Sequence, residues 1–306
     1  MVLAYVARRL AFLPFTLLLV AFVTFIILRV TGNPVDIFLD INRTPEQVVE
    51  LTERLHLDQP LPIQFLIFLR DLAHGDFGES LQFSGPAVDA VSQRLGYTLE
   101  LVGAGLGLAV VLGIAGGLAC AVWRDRVPDI ALSSLAVIGQ SMPSFWLGIL
   151  LIQLFALRLH WLPTSGTGDL SHLVLPAFTL AAFLLPNFLL ITRAAVLDLI
   201  GEQFVVTARA KGMSRARVLL THVLPNAVNP LLSFLGIQIG TLMGGSIITE
   251  TIYAWPGVGR LMISSIFHRD VPVVEAAVFF VAIAIALSNL LVDVLQMLID
   301  PRIRRQ

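Results

Sequence analysis

Hydrolysing a nucleotide takes a loop of the form G-x-x-x-x-G-K-[ST], whose lysine reaches the phosphates and whose hydroxyl holds magnesium. The chain has one lysine, Lys211, and it stands between Ala210 and Gly212, so that loop is absent. Zinc chemistry needs histidines at ligand spacing, such as H-E-x-x-H. The six here, His56, His74, His160, His172, His222 and His268, are scattered, and no metal ligand set or catalytic residue is read from them. A proton-driven carrier buries several carboxylates or histidines at membrane depth. Only Asp293 lies inside an apolar run, with Asn289 one turn earlier on the same helix face, and it reads better as a partner for a neighbouring helix than as a proton site. What remains is positive charge. Arg209, Lys211, Arg215 and Arg217 fall within "TARAKGMSRARVLLTHVLPNAVNP", and the question is what elements hold them.

The 306 residues are 57% hydrophobic and 13% charged, against about a quarter charged in soluble domains. Uncharged stretches lie between Arg9 and Arg29, Glu100 and Arg124, Asp129 and Arg158, and His172 and Arg193; two more run from Val223 to Thr249 and from Ala276 to Ile299. Each is near or above the roughly 20 residues that cross a hydrocarbon core. The expectation is an all-α polytopic membrane protein with six transmembrane helices. Arg8 and Arg9 before an apolar run also begin secretory signals, but no small-residue cleavage site follows.

Placing both termini in the cytoplasm puts Arg8, Arg9, Arg124, Arg126, the cluster from Arg193 to Arg217, and Arg302, Arg304 and Arg305 on the inner side, as the positive-inside rule asks. Residues 1–30 are then an inner N-terminus and first span, 31–98 an extracytoplasmic insert rich in acids, 99–300 five further spans, and 301–306 a cytoplasmic tail. Membrane lipid is an implied partner. The single cysteine, Cys120, lies in the second span and permits no intrachain disulfide, and a net charge of -1 implies no nucleic-acid partner.

Within the insert, "RTPEQVVELTERLHL" reads as a helix with Thr44 as N-cap, Pro45 at the first position and Gln47 completing a capping box. "LPIQFLIFLRDLAHG" reads as a second, more apolar helix that stops at Gly75. The insert serves either as a docking surface or as a lid packed on the helices. Several spans carry breakers: Pro143, Pro186, and the glycines Gly236, Gly240, Gly244 and Gly245. The glycines fit close helix packing better than a pathway role. Gln140, Ser141 and Ser144 beside Pro143, and Gln238 among the glycines, are candidates either for a path wall or for bonds to a neighbouring helix.

The basic stretch, within about 201–224, has the build of a compact knuckle. "GEQFVVTARAK" suits a short helix whose last-turn cations complement its dipole. Gly212 suits the left-handed residue that ends it, and Ser214 suits the cap of a second helix running to Pro225. A positive loop lying on anionic headgroups is the alternative.

The same residues resemble the signature loop of binding-protein-dependent ABC importer permeases, in which E-A-A, three residues, Gly, nine residues and I-x-L-P recur. Val206, Thr207 and Ala208 stand where E-A-A stands, Gly212 matches, and "HVLP" carries His222 in place of the Ile. The glutamate is missing. "YVARRL", "LDQPLPIQF", "HGDFGESL", "GQSMPSFWLGILL", "ETIYAWPGVGRL" and "DPRIRR" extend the likeness over nearly the whole chain, towards the permeases of dipeptide, oligopeptide and nickel importers.

The resemblance implies a bacterial inner-membrane permease without its own ATPase site. Its partners would be a second, homologous permease, two cytoplasmic ATPases that bind ATP and magnesium, and an extracytoplasmic substrate-binding protein. It implies alternating access for a small peptide or similar solute, with nickel or glutathione as alternatives, and an ion-coupled carrier as the reading from another class. It places the ATPase contact on Phe204, Val206, Thr207, Ala208 and Arg209, the turn Lys211, Gly212, Met213 and Ser214, and Arg215 and Arg217. It also makes the segment after the fifth span an element near the outer mouth, where Glu250 and Tyr253 meet a substrate amine or the binding protein; Trp255 there is read mainly as an interfacial anchor.

Overall fold

The computed structural model describes the backbone of residues 2–31 and 56–299, with positions 46, 49 and 52 between them, and side-chain environments over 11–27 and 56–297. Of the helix expected from "RTPEQVVELTERLHL", Glu46, Val49 and Thr52 are described and are helical, while Thr44 and Gln47 lie outside the described residues, as do Arg302, Arg304 and Arg305. Among the described residues there is no β-strand; one isolated bridge pairs Glu79 with Pro86. The chain forms two compact units, one of Met1–Leu3, Tyr97–Pro256 and Leu287–Gln306, the other of Ala4–Gly96 and Gly257–Ala286.

In order, the helices are α1 (Val2–Thr31), α2 (Leu61–Ala73), α3 (Ala87–Val122), α4 (Val127–Ser141) and α5 (Ser144–Leu151), the last continuing as a π-helix over Ile152–Arg158. Then come α6 (Leu170–Ile200), α7 (Gln203–Ala210), α8 (Arg215–Val218), a π-helical turn Leu219–Val223, α9 (Leu224–Ile252), α10 (Val258–Phe267) and α11 (Val271–Ile299).

Four of these are long and apolar enough to cross a membrane: α3, α6, the continuous run Arg215–Ile252, and α11. A fifth arises if α4 and α5 are counted together, but they bend by 106°. Six spans were expected. The third is a broken helix pair, because Met142 before Pro143 is held extended at φ -83°, ψ 133°, the conformation a proline imposes on its predecessor. The first, α1, is 30 residues long, and its described apolar stretch, Ala11–Ile27, is shorter than the other spans.

In the larger unit α3 lies against α6 along a stripe that recurs every fourth residue: Leu101, Gly105, Ala109, Gly113, Gly117 and Ala121. A Cβ at Gly113 would stand 2.4 Å from the Phe188 Cβ, and one at Gly117 would stand 2.5 Å from the Leu189 carbonyl oxygen. Such contact brings two backbones together where lipid offers no hydrophobic driving force between helices. Of the glycines singled out in the fifth span, Gly236 does lie against Val292 of α11, at 3.1 Å from an added Cβ, and nearby Gln296 donates to Ser233. Gly244 and Gly245 have nothing within 4 Å. They lie on an exposed face of α9 with Ile237, Thr241 and Ile248.

The smaller unit has its own core, in which Ala87 and Val91 of α3 meet Val258 and Leu261 of α10 and Val273, Ala276 and Ala277 of α11. The loop "HGDFGESLQ" is stapled onto it. Ser80 Oγ donates to Asp270 Oδ2 at 2.6 Å, and the Gln82 amide donates to the same oxygen at 3.1 Å. Phe77 stacks near Phe279 and Phe280. Helix α2 ends where the sequence placed its stop, with Gly75 left-handed at φ +74°.

Candidate functional site

Helix α7 is two turns long because Gly201 breaks the chain after α6 and Gly212 breaks it again. Only Val205 and Ala208, three residues apart, turn inward, at 1% and 4% exposure. They pack with Ala121, Val196, Val218, Val223 and Ala227. The helix closes with paired bonds: Met213 N donates to Ala208 O at 3.3 Å and Gly212 N to Arg209 O at 2.9 Å. This double closure requires a left-handed residue after the cap, and Gly212 supplies it at φ +83°. Ser214 Oγ then accepts from Arg217 N and caps the next helix. That helix does not stop at Pro225 but runs through the π-turn into α9, so the knuckle and the fifth span are one rigid piece.

Phe204, Val206, Thr207, Arg209, Lys211, Ser214, Arg215 and Arg217 are exposed, with Met213 half-buried and Ala208 beneath them. The predicted coupling residues are therefore brought together as a cationic surface on a packed base. Beside them Leu199, Glu202, Phe204, Thr221, His222 and Asn226 line a cleft of about 610 Å³. Its wall is shaped by the π-turn, where Thr221 donates to Arg217 O at 2.6 Å and Asn226 Nδ2 to His222 O at 2.6 Å.

Sequence reasoning missed the ion pair under this end. Arg193 of α6 grips the buried Asp129 of α4 through two bonds, Nε to Oδ1 at 2.8 Å and Nη2 to Oδ2 at 2.7 Å. Asp125 N donates to the same carboxylate at 2.9 Å. Both charges were read as span borders, and nothing in the local pattern pairs residues 64 apart.

The turn after α9 departs from its expected role. Glu250, Tyr253 and Trp255 are all buried. Thr98 donates to Glu250 Oε1 at 2.7 Å, and the Tyr253 hydroxyl meets Thr179 Oγ1 at 2.9 Å and donates to Gly148 O at 3.2 Å. Trp255 Nε1 donates to Tyr97 O at 2.8 Å, and the two rings meet edge to face. Burial pushes the Tyr253 phenol up to about 12. A side chain that meets a solute or anchors in an interface must be reachable; these three spend their polar groups inside the protein. At the break between α4 and α5, Ser141 and Pro143 are exposed and Gln140 and Ser144 half-buried. Ser141 Oγ donates back to Val137 O, and Gln238 Oε1 makes no hydrogen bond among the described residues. Among the described residues no three His, Cys, Asp or Glu side chains gather as a metal site would require.

Residues 113–305 match the family described as binding-protein-dependent transport system inner membrane component, and residues 2–102 match that family's N-terminal region. The chain belongs to this permease family. It is 40% identical over 301 residues to the glutathione transport system permease protein GsiC of Salmonella typhi, covering 98% of each chain. It is 40% identical over 302 residues to the GsiC of Escherichia coli (strain K12), again covering 98% of each. Two inward-facing crystal forms of the MetNI methionine ABC transporter share its fold at TM-scores of 0.60 and 0.56. They are 18% and 19% identical, and each match covers 71% of this chain and 100% of the other. The protein is thus the permease subunit of an ABC importer, an inner-membrane component of a bacterial transporter. In this permease the knuckle, the ion pair below it and the buried turn after α9 all belong to the larger compact unit.

Proposed function

We propose that this permease pairs with a second, similar permease and with two cytoplasmic ATPases, and carries a small peptide of the glutathione kind from a binding protein into the cell. The substrate class is supported by the 40% identity, over nearly the whole chain, to the GsiC permeases. Both termini lie in the cytoplasm, the orientation that brings the knuckle's arginines inside. ATP and magnesium sit on the ATPases, since this chain lacks a phosphate loop.

The observation that carries the reading is the knuckle. Exposed Phe204, Val206, Arg209, Lys211, Arg215 and Arg217 ride on the buried Val205 and Ala208, so a force applied there moves the ends of α6 and α9 instead of being absorbed by a loose loop. Closure of the ATPase pair pushes the knuckle, Arg193 and Asp129 carry the displacement from α6 to α4, and the permease pair rocks as rigid bodies. The path runs along the exposed face of α9 at Thr241, Gly244 and Gly245 and past the break at Gln140, Ser141, Pro143 and Ser144, with the half-buried Gln238 on the same helix.

Gly212→Trp tests the coupling. A bulky left-handed residue deforms the turn while leaving the apolar spans to insert. ATP-driven uptake into proteoliposomes holding the whole transporter should fall about tenfold or more, the scale of a lost coupling free energy of about 1–3 kcal/mol. Uptake at the wild-type rate, with the variant present in normal amount, removes the knuckle from the mechanism.

A further inference from the structure

Helix α2 is the part of the described insert that the transport reading leaves without a task. It is 13 residues long, "LPIQFLIFLRDLA", about 20 Å at 1.5 Å per residue, too short to cross a hydrocarbon core of roughly 30 Å. Its first nine residues carry no charge. Gln64, their one polar side chain, is turned inward, where its amide nitrogen donates to Gln59 O at 2.8 Å and Leu57 O at 3.3 Å. One face of α2 is aromatic and holds α1: Phe65 meets Phe22 and Phe25 at 5.5 and 5.3 Å between ring centres, and Phe68 meets Phe25 at 5.7 Å. The opposite face is apolar as well: Ile63 and Leu66 are open there, Leu66 at 64%, and Leu61 is open at the start of the helix.

A helix apolar on both sides does not rest in water. The place where it meets α1 says what covers it. Phe25 and Phe22 stand four and seven residues before Arg29, the charge that ends the apolar stretch of α1, so the contact lies about 6–10 Å inward from that residue along the helix axis. Around it α1 exposes Leu18, Leu19, Val23, Ile26 and Ile27, and the open face of α2 continues that apolar surface. Charge returns only in the last turn of α2, where Arg70 pairs with Asp71 at 2.8 Å.

We infer that α2 lies within the lipid leaflet reached by the C-terminal half of α1, with Leu61, Ile63 and Leu66 against acyl chains, and that it anchors the insert to the bilayer instead of offering this face to a protein. Apolar stretches of this length, too short to span, occur as re-entrant or interfacial segments.

The only native thiol, Cys120, is buried, so single spin labels are readily introduced. Ile63→Cys and Leu66→Cys, with Glu79→Cys in the exposed loop beyond α2 as the aqueous reference, are labelled in the whole permease complex in lipid vesicles and kept only if uptake persists. Collisions with dissolved oxygen and with a water-soluble nickel chelate are then compared. At 63 and 66 the oxygen-to-nickel ratio should exceed that at 79 severalfold. Ratios at 63 and 66 equal to that at 79 place the face in water, free for a protein partner, and overturn the inference; two independent positions guard against one label distorting the helix.

Discussion

Two helix ends in the larger unit use the same backbone device for opposite purposes. At the end of α7 the amides of Met213 and Gly212 return to Ala208 and Arg209; at the end of α9 those of Trp255 and Ala254 return to Glu250 and Thr251, at 2.8 and 3.3 Å. The left-handed residue is Gly212 in one and Ala254, at φ +49°, in the other. At the knuckle the turn needs no support from its side chains, which are left outside for a partner. After α9 the left-handed alanine costs about 1–2 kcal/mol, and the turn is held by buried groups around it: Glu250 on Thr98, Tyr253 on Thr179 and Gly148, Trp255 on Tyr97. The comparison teaches that a closing motif in the sequence locates a turn without saying which way its side chains face.

The ion pair of Arg193 and Asp129 ties α6, which leads into the knuckle, to α4, and breaking that pair should have the largest effect. Arg193→Met leaves the Asp129 carboxylate buried without its cation, a change that typically costs about 3–5 kcal/mol. Arg193 is 28% exposed, so the low end, about 3 kcal/mol, is expected. Thermal unfolding of the purified protein in detergent measures it. Asp129→Asn combined with Arg193→Met should recover much of the loss, because two neutral groups replace an uncompensated charge. Equal melting temperatures for the single and double variants would show that the pair carries no coupling and that the knuckle rests on apolar packing alone.

At the turn after α9 the Tyr253 hydroxyl makes two hydrogen bonds and carries no charge at neutral pH, so its loss should matter less than that of the ion pair. Tyr253→Phe loses the bonds to Thr179 and Gly148, about 1–3 kcal/mol for the two. The phenol also gives the turn a pH dependence. Its folded value of about 12 lies above the usual value of about 10. The neutral form is therefore the one the fold favours, and its contribution is complete below pH about 10 and lost as pH rises towards about 12. The wild type should lose stability across that window more steeply than the phenylalanine variant, measured by the same unfolding experiment in alkaline buffers.

These contrasts track how far apart in sequence the partners are. The knuckle was legible because its signals sit within a dozen residues: a short helix, Gly212, the Ser214 cap and the cations around them. The stop of α2 at Gly75 was legible for the same reason, and Pro143 marked a break though not an angle of 106°. Thr98 and Glu250 are 152 residues apart and Asp129 and Arg193 are 64 apart, and no local pattern announces either meeting. The close-packing glycines were hidden differently. The dense group from Gly236 to Gly245 drew attention, while the period-four stripe of Gly105, Gly113 and Gly117 makes the tightest contact because a second helix lies across it. Family resemblance named the outer segment without giving its orientation, which is why Glu250 and Tyr253 were expected to face a solute.

The smallest effect separates the two turns most cleanly, because it has opposite signs. Gly212→Ala places a Cβ where nothing lies within 4 Å, so crowding does not contribute and only the left-handed conformation is penalised, about 1 kcal/mol. Ala254→Gly relieves the same penalty and should stabilise by up to about 1 kcal/mol, less whatever freedom glycine adds to the unfolded chain. Uptake should distinguish the two as well. Ala254→Gly leaves the buried bonds of Glu250, Tyr253 and Trp255 in place and should transport at the wild-type rate, while Gly212→Ala, which loosens a surface meant to transmit force, should lower uptake more than its stability loss alone accounts for. If both variants destabilise, or if Gly212→Ala transports normally despite a lower melting temperature, the two turns differ in sequence only, and the division between a force-bearing end and a packed end fails.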